Sequence, residues 1–247
     1  MMARRFTTAA LASAAVFGVL VMGTAGPAEA AKTPVKKPAP VQGTLAQIAA
    51  GTLTVKPGDT GPAITDIQVR LNNIGITTPT DGTYSSDTED ALIHFQWKFF
   101  LDESGLVSRS TAKQLLAISA KGMHVPAVCK TKGKTVCVDM TQKVLRLYKD
   151  GKVLKTIDAR FGGPGNETHA GLFRVFEKRL HDYSQLYKTP MPYSAYFDGG
   201  RALHYSMYFD AQGYNGASHG CINIGSRAEA KYVFNFVRIG TRVKVYR

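Results

Sequence analysis

The stretch VCVDMTQKVLRLYKDGKVLKTI, residues 136–157, decides the fold of the C-terminal half of this 247-residue chain. Val136-Cys137-Val138, Val144 to Tyr148 and Val153 to Ile157 are short runs rich in β-branched and aromatic residues. Asp150-Gly151 between the last two is the dipeptide that a tight hairpin demands. Working outward, Gly162-Gly163-Pro164-Gly165-Asn166 reads as a loop, and Leu172 to Phe176 resumes a strand. After Ser226 the apolar residues Ala230, Val233, Phe234 and Val237 recur at helical spacing, and Thr241 to Tyr246 alternates as a closing strand. Residues 123–247 are therefore expected to form a mainly β domain with one clear helix and large loops.

Upstream the period changes. Ile64, Ile67, Val69 and Leu71 mark one helix, Ala91, Leu92, Phe95 and Phe99 a second, and Ala112, Leu115 and Leu116 a third. Pro57-Gly58-Asp59, Asp81-Gly82 and Ser104-Gly105 separate them, with Ser86 or Asp87 placed to cap the second. Residues 52–122 thus predict a small three-helix bundle, and the whole chain an α+β, two-domain protein. His94, inside the apolar run ALIHFQW, is expected to be a hydrogen-bonded packing residue. Residues 31–51 contain the Pro- and Lys-rich run KTPVKKPAPVQ and are expected to be a solvated spacer.

The first thirty residues have the pattern of a secretory signal: Arg4 and Arg5, an apolar core from about Ala9 to Gly23, and the small-residue cleavage site Ala28-Glu29-Ala30. The full chain has a formal charge of +13; losing Arg4, Arg5 and Glu29 with the signal leaves +12. Such a surface favours anionic wall polymers and headgroups. The lysines are scattered rather than clustered with aromatics, which argues against nucleic acid as partner. Export places the three cysteines where disulfides persist. Cys129 and Cys137, joined by a polar segment with a glycine, are expected to pair and to staple adjacent strands. Cys221 is left over, as an intermolecular link or a reactive thiol.

Its neighbours favour the thiol. Cys221 follows the glycine-bearing loop Asn215-Gly216-Ala217-Ser218-His219-Gly220 and precedes a short strand-like stretch, so it sits where a loop on a sheet exposes a side chain. A free thiol needs a neighbouring base or positive charge to become an effective nucleophile. His219 shares a face with Cys221 only if the backbone is extended, so its expected role is supporting. His204, after the strand-like Ala202-Leu203, is the better-placed base, brought to the thiol if two strand ends are adjacent. Gly220, without a Cβ, lets a carbonyl substrate approach, and the amides of Gly220 and Cys221 are candidates for an oxyanion site.

Two resemblances add to this. KPGDTGPAITDIQVRLNNIGI, TDGTYSSDTEDALIHFQWKFFL and SGLVSRSTAKQLL together resemble the peptidoglycan-binding module that accompanies many wall enzymes, departing from it at Asp102-Glu103-Ser104. His204, thirteen intervening residues and Ser218-His219-Gly220-Cys221-Ile222-Asn223 resemble the signature of the L,D-transpeptidase family, and Glu167 to Phe173 resembles that family's Thr-Pro-Thr-Gly-x-Phe segment. The resemblance implies that Cys221 attacks the carbonyl of the diamino acid in a tetrapeptide stem, expels D-alanine and forms a thioester. His204 would handle the protons, and the side-chain amine of a second stem would resolve the thioester into a 3-3 crosslink. No metal, cofactor or nucleotide is implied. Family position also implies that Tyr193 and Asn223 shape the donor site and that Ser218 and His219 hold the nucleophile loop. It leaves open whether a backbone carbonyl or a hydroxyl orients His204. Three other readings compete: an L,D-carboxypeptidase using the same thioester, a zinc-dependent wall hydrolase ligated by Cys221, His204 and His219, and a non-catalytic wall-binding protein. The absence of a His-Glu-x-x-His pattern speaks against the zinc enzyme.

Overall fold

The computed structural model describes residues 39–121 and 124–247. The expected signal segment, residues 1–30, and the first part of the spacer lie outside the described residues.

The helical domain has four helices rather than three: α1 (Leu45–Ala50), α2 (Pro62–Asn73), α3 (Ser86–Lys98) and α4 (Arg109–Lys121). The first corrects the spacer expectation, because Leu45 and Ile48 are buried in the same core as Ile64, Ile67, Leu92, Phe95 and Leu115. A capping box closes its start: the side chain of Gln47 accepts the Thr44 amide at 2.9 Å, and the Thr44 side chain answers toward the amide of Gln47. Val69, counted among the apolar stripe, is exposed, and the N-cap position of α3 is Ser85, one residue earlier than expected, its hydroxyl making no cap bond. Two buried glutamines fix the turns. Gln68 receives the Gly82 amide and donates to the Thr83 carbonyl, and Gln96 receives the Gly105 amide and donates to the Leu106 carbonyl.

The second domain is built on β1 (Lys134–Asp139), β2 (Val144–Lys149), β3 (Lys152–Asp158), β4 (Gly171–Arg174), β5 (Glu177–Arg179), β6 (Tyr183–Ser184), β7 (Thr189–Pro190), β8 (Ser194–Asp198) and β9 (Arg201–Tyr205). Helix α5 (Met207–Gln212), β10 (Ile222–Ile224), α6 (Arg227–Phe236) and β11 (Arg242–Tyr246) complete it. One sheet runs β3-β2-β1-β11-β4 and a second β10-β9-β8-β5, while β6 and β7 form a separate hairpin. Val136, Val138, Leu145 and Leu147 from the first sheet, Ala195, Leu203, Ile222 and Ile224 from the second and Ala230 and Val233 of α6 share one core. Alternate residues of each strand thus face a common interior, and the loops are left to the surface.

Two expectations change here. The chain between His204 and Cys221 is not all loop: Ser206 caps α5, its hydroxyl accepting the Phe209 amide. The Cys129–Cys137 disulfide is present with Cα atoms 6.1 Å apart, but it ties a 3-10 turn (Ala127–Lys130) to β1 instead of strand to strand.

The two domains meet through a buried polar seam. Lys98, fully buried, places Nζ 2.5 Å from Asp158 Oδ1, and His94 Nε2 lies 2.8 Å from Asp158 Oδ2. Burial pushes the Asp158 carboxyl up, but the charges of Lys98 and His94 outweigh it and hold the group at about 2. Trp97 packs edge-on against Tyr214 with centroids 5.0 Å apart. Gly213, in the left-handed region at φ 57°, lets this happen: a Cβ there would sit 1.9 Å from the Trp97 ring.

Candidate active site

Strands β9 and β10 run parallel, pairing Leu203 with Ile222, His204 with Asn223 and Tyr205 with Ile224. Cys221 is the residue just before β10, so this pairing brings the thiol and the imidazole to the same edge of the sheet. Cys221 is partly exposed, and Sγ accepts the Ala202 amide at 3.5 Å and lies 3.9 Å from the Gly200 carbonyl. Burial pushes the thiol pKa up, with the Ala202 amide and Arg201 opposing. The resting sulfur is therefore a thiol.

His204 is buried, and both ring nitrogens are engaged. Nδ1 lies 2.6 Å from the Tyr205 carbonyl and must donate to it, which answers what orients the ring: a backbone carbonyl. Nε2 is then the acceptor, and Asn223 Nδ2 lies 2.9 Å away as its donor. Burial lowers the imidazole pKa to about 4, so His204 is neutral at neutral pH and carries a lone pair on Nε2. No hydrogen bond joins Sγ to the imidazole in this state. Imidazole and thiol stand as a neutral pair, one on β9 and the other at the start of β10, an arrangement common in apo sites before substrate tightens the contacts.

The nucleophile loop is held from both sides. The Ser218 hydroxyl donates to the Cys221 carbonyl at 2.6 Å and accepts the Gly220 amide at 3.1 Å. That second bond changes the expectation for Gly220, whose amide is occupied by Ser218 and is not free for an oxyanion. The glycine has another use: φ is 101°, and a Cβ would approach Arg201 Nε to 2.7 Å. Thr168, one residue after Glu167, donates to the Gly220 carbonyl at 2.9 Å and receives the Gly162 amide at 3.0 Å. The Ser218 amide donates to the Phe161 carbonyl at 2.8 Å. His219 is turned toward the β6–β7 hairpin, stacked on Tyr187 with centroids 3.8 Å apart.

Tyr193 is not brought to the site. Its ring packs between Phe234 and Arg227 beside the main core, and its backbone is held at φ 63°. The cleft over Cys221, about 710 Å³, is walled instead by the β6–β7 hairpin on one side and by α5 with the nucleophile loop on the other. Arg160 and Tyr196 carry weight here and had no recognisable signal in the sequence, because each acts through contacts with distant segments, whereas Thr168 lies in the Glu167 to Phe173 segment whose resemblance was noted without a role for it. Tyr196, on the cleft wall, donates its hydroxyl to Asp182 at 2.6 Å. Among the described residues no three His, Cys, Asp or Glu side chains cluster as a metal site.

A β-rich domain with a thiol at the mouth of a parallel strand pair, preceded by a four-helix unit, agrees with what comparison finds. Residues 133–245 match the model of the L,D-transpeptidase catalytic domain, and residues 60–115, ahead of them, match that of a peptidoglycan binding domain. Among solved structures, an L,D-transpeptidase (Yku) from Stackebrandtia nassauensis is 27% identical, with 78% of this chain and 95% of that one covered and a TM-score of 0.54. Residues 123-326 of an L,D-transpeptidase from Xylanimonas cellulosilytica are 28% identical, with 78% and 97% covered and a TM-score of 0.46. No curated protein matches.

Proposed function

We propose that this protein is a peptidoglycan L,D-transpeptidase that joins stem peptides through a thioester on Cys221. The observation that carries the reading is the β9–β10 register, which places a neutral, carbonyl-oriented imidazole and a free thiol at one sheet edge beneath a peptide-sized cleft. The sulfur attacks the carbonyl of the diamino acid at the third stem position while Nε2 of His204, its lone pair released from the Asn223 amide, accepts the thiol proton. The tetrahedral intermediate collapses with breakage of the bond to the terminal D-alanine, whose amine takes that proton. The side-chain amine of a second stem then attacks the thioester, gives its proton to His204 and regenerates the thiol, leaving a 3-3 crosslink. One peptide bond is exchanged for another, so the sequence of steps needs no nucleotide.

Ser218 and Thr168 act as braces for the loop, and the peptidoglycan-binding domain supports a wall substrate. The N-terminal signal pattern and the Cys129–Cys137 bridge support action outside the cytoplasm. The test is mass spectrometry of the full chain incubated with a disaccharide-tetrapeptide. The expected products are an acyl adduct on Cys221 and a crosslinked stem dimer. An adduct followed only by free tripeptide would make the enzyme a carboxypeptidase, and no adduct would overturn the nucleophile assignment.

A further inference from the structure

The residues lining the cleft include three arginines, Arg160, Arg179 and Arg201, and no aspartate or glutamate. Two of the three are already matched. Arg179 pairs with Glu177 at 2.7 Å, and Arg201 lies 3.5 Å from Asp198. Arg160 differs: it is 5% exposed and, among the described residues, pairs with no carboxylate. Its guanidinium donates to neutral acceptors only, from Nη1 to the Gly213 carbonyl at 3.0 Å and the Tyr208 carbonyl at 3.4 Å, and from Nη2 to Asn223 Oδ1 at 3.5 Å. Nε is buried without a partner. The Phe209 ring lies 5.2 Å away.

A buried cation with no counter-charge is costly to maintain, and backbone dipoles compensate it only in part. Where such a group lines a substrate cleft, an anionic part of the ligand is the natural compensation. We propose that Arg160 is the carboxylate-recognising residue of this cleft, binding a free carboxylate of the acyl-donor stem peptide. The inference rests on the transpeptidase reading for the identity of that donor. Beside the bond that is exchanged, a tetrapeptide stem offers two such groups, the terminal carboxylate of the leaving D-residue and the side-chain carboxylate of a dicarboxylic diamino acid. Both present the planar anion that a guanidinium binds, and the position of Arg160 beside Asn223, the partner of His204, puts either within the reacting segment. Specificity then runs against amidated stems.

The test uses the full chain and three donor peptides: one with both carboxylates free, one with a terminal carboxamide and one amidated on the diamino acid. Binding is measured calorimetrically on the Cys221→Ser protein, and adduct formation on the wild type. The fully acidic donor is expected to bind roughly tenfold to a hundredfold more tightly than one of the amides, the scale of a charge-assisted hydrogen bond. Whichever amide loses affinity identifies the source. Arg160→Gln in the Cys221→Ser background should erase the difference and Arg160→Lys should keep part of it. Equal binding of all three donors by the Cys221→Ser protein overturns the proposal, and that comparison does not depend on any Arg160 variant folding. So does an Arg160→Gln protein that weakens all three by one common factor, as a purely structural arginine would. Discrimination in binding without an adduct on the wild type would leave the carboxylate site standing and remove the transpeptidase reading; an adduct without discrimination would do the reverse.

Discussion

The side-chain amide of Asn223 lies 2.9 Å from Nε2 of His204, across a parallel strand pair that sets the two residues directly opposite one another. Together with the Tyr205 carbonyl on Nδ1, this bond fixes both the plane of the imidazole and its tautomer. Asn223→Ala removes the donor and leaves the ring free to tilt. A ring held by Nδ1 alone loses its aim at the thiol, and misplacing a catalytic group by about 1 Å costs about a hundredfold, so acylation of Cys221 should slow roughly tenfold to a hundredfold. Stopped-flow measurement of acylation checks this; an unchanged rate would remove Asn223 from the machinery.

With His204 as the base of the proposed mechanism, its depressed pKa sets the acid limit of activity. The imidazole stays unprotonated down to about pH 4, so kcat/KM for acylation should hold its plateau well below the ordinary histidine value. Stability moves in the same window. The unfolded ring takes up a proton below about 6.5, whereas the folded ring waits until about 4, so stability falls as pH drops between those values. A pH–rate profile that breaks near 6.5 would contradict the burial argument.

Asp158 answers to Lys98, which is fully buried. Asp158→Asn leaves that ammonium without a counter-charge and should cost about 3–5 kcal/mol in urea unfolding. The double variant Lys98→Met/Asp158→Asn should recover most of the loss, because it removes the orphaned charge with the partner. In the wild type the contribution of Asp158 is present above the usual carboxylate range and is lost as pH falls toward about 2. Equal stability of the single and double variants would show that the seam contributes nothing through charge.

The disulfide closes a short loop, with a sequence separation of 8. Replacing Cys129 and Cys137 together by Ser should lower stability by about 2–3 kcal/mol on the chain-entropy account. Because the bridge packs with Tyr148 on the face of β1 opposite the main core and Cys221 is untouched, the rate of Cys221 acylation at low temperature should stay unchanged. A loss of rate without loss of stability would run against this.

Much of the fold could be read from local chemistry. The Asp150-Gly151 turn between two β-rich runs specified the β2–β3 hairpin, and the spacing around Phe95 specified α3. The candidate site was legible where it depends on neighbours in the chain, with Cys221 as the unpaired thiol and His204 at a strand end, whereas the loop contacts of Ser218 were implied by the resemblance alone. What escaped depends on distance. Helix α1 follows a run rich in Pro and Lys and is too short to show a period, so only its burial against α2 and α4 reveals it. Helix α5 is equally short, and the capping role of Ser206 is visible only once the backbone turns. Arg160 and Thr168 matter through contacts spanning dozens of residues. Tyr193, an aromatic beside a proline, could be assigned to core or cleft only by tertiary packing, which puts it against Phe234.

The seam around Lys98 has a geometric consequence. A wall-binding unit on a slack tether lets an enzyme sweep every bond within the tether's reach, whereas one locked to its catalytic partner by a buried charge and an interdigitated tryptophan behaves as a ruler. Under the proposed function, a grip of the helical domain on the wall would hold the thiol at one fixed offset and in one fixed orientation, and the reach of the enzyme would be set before any substrate arrives.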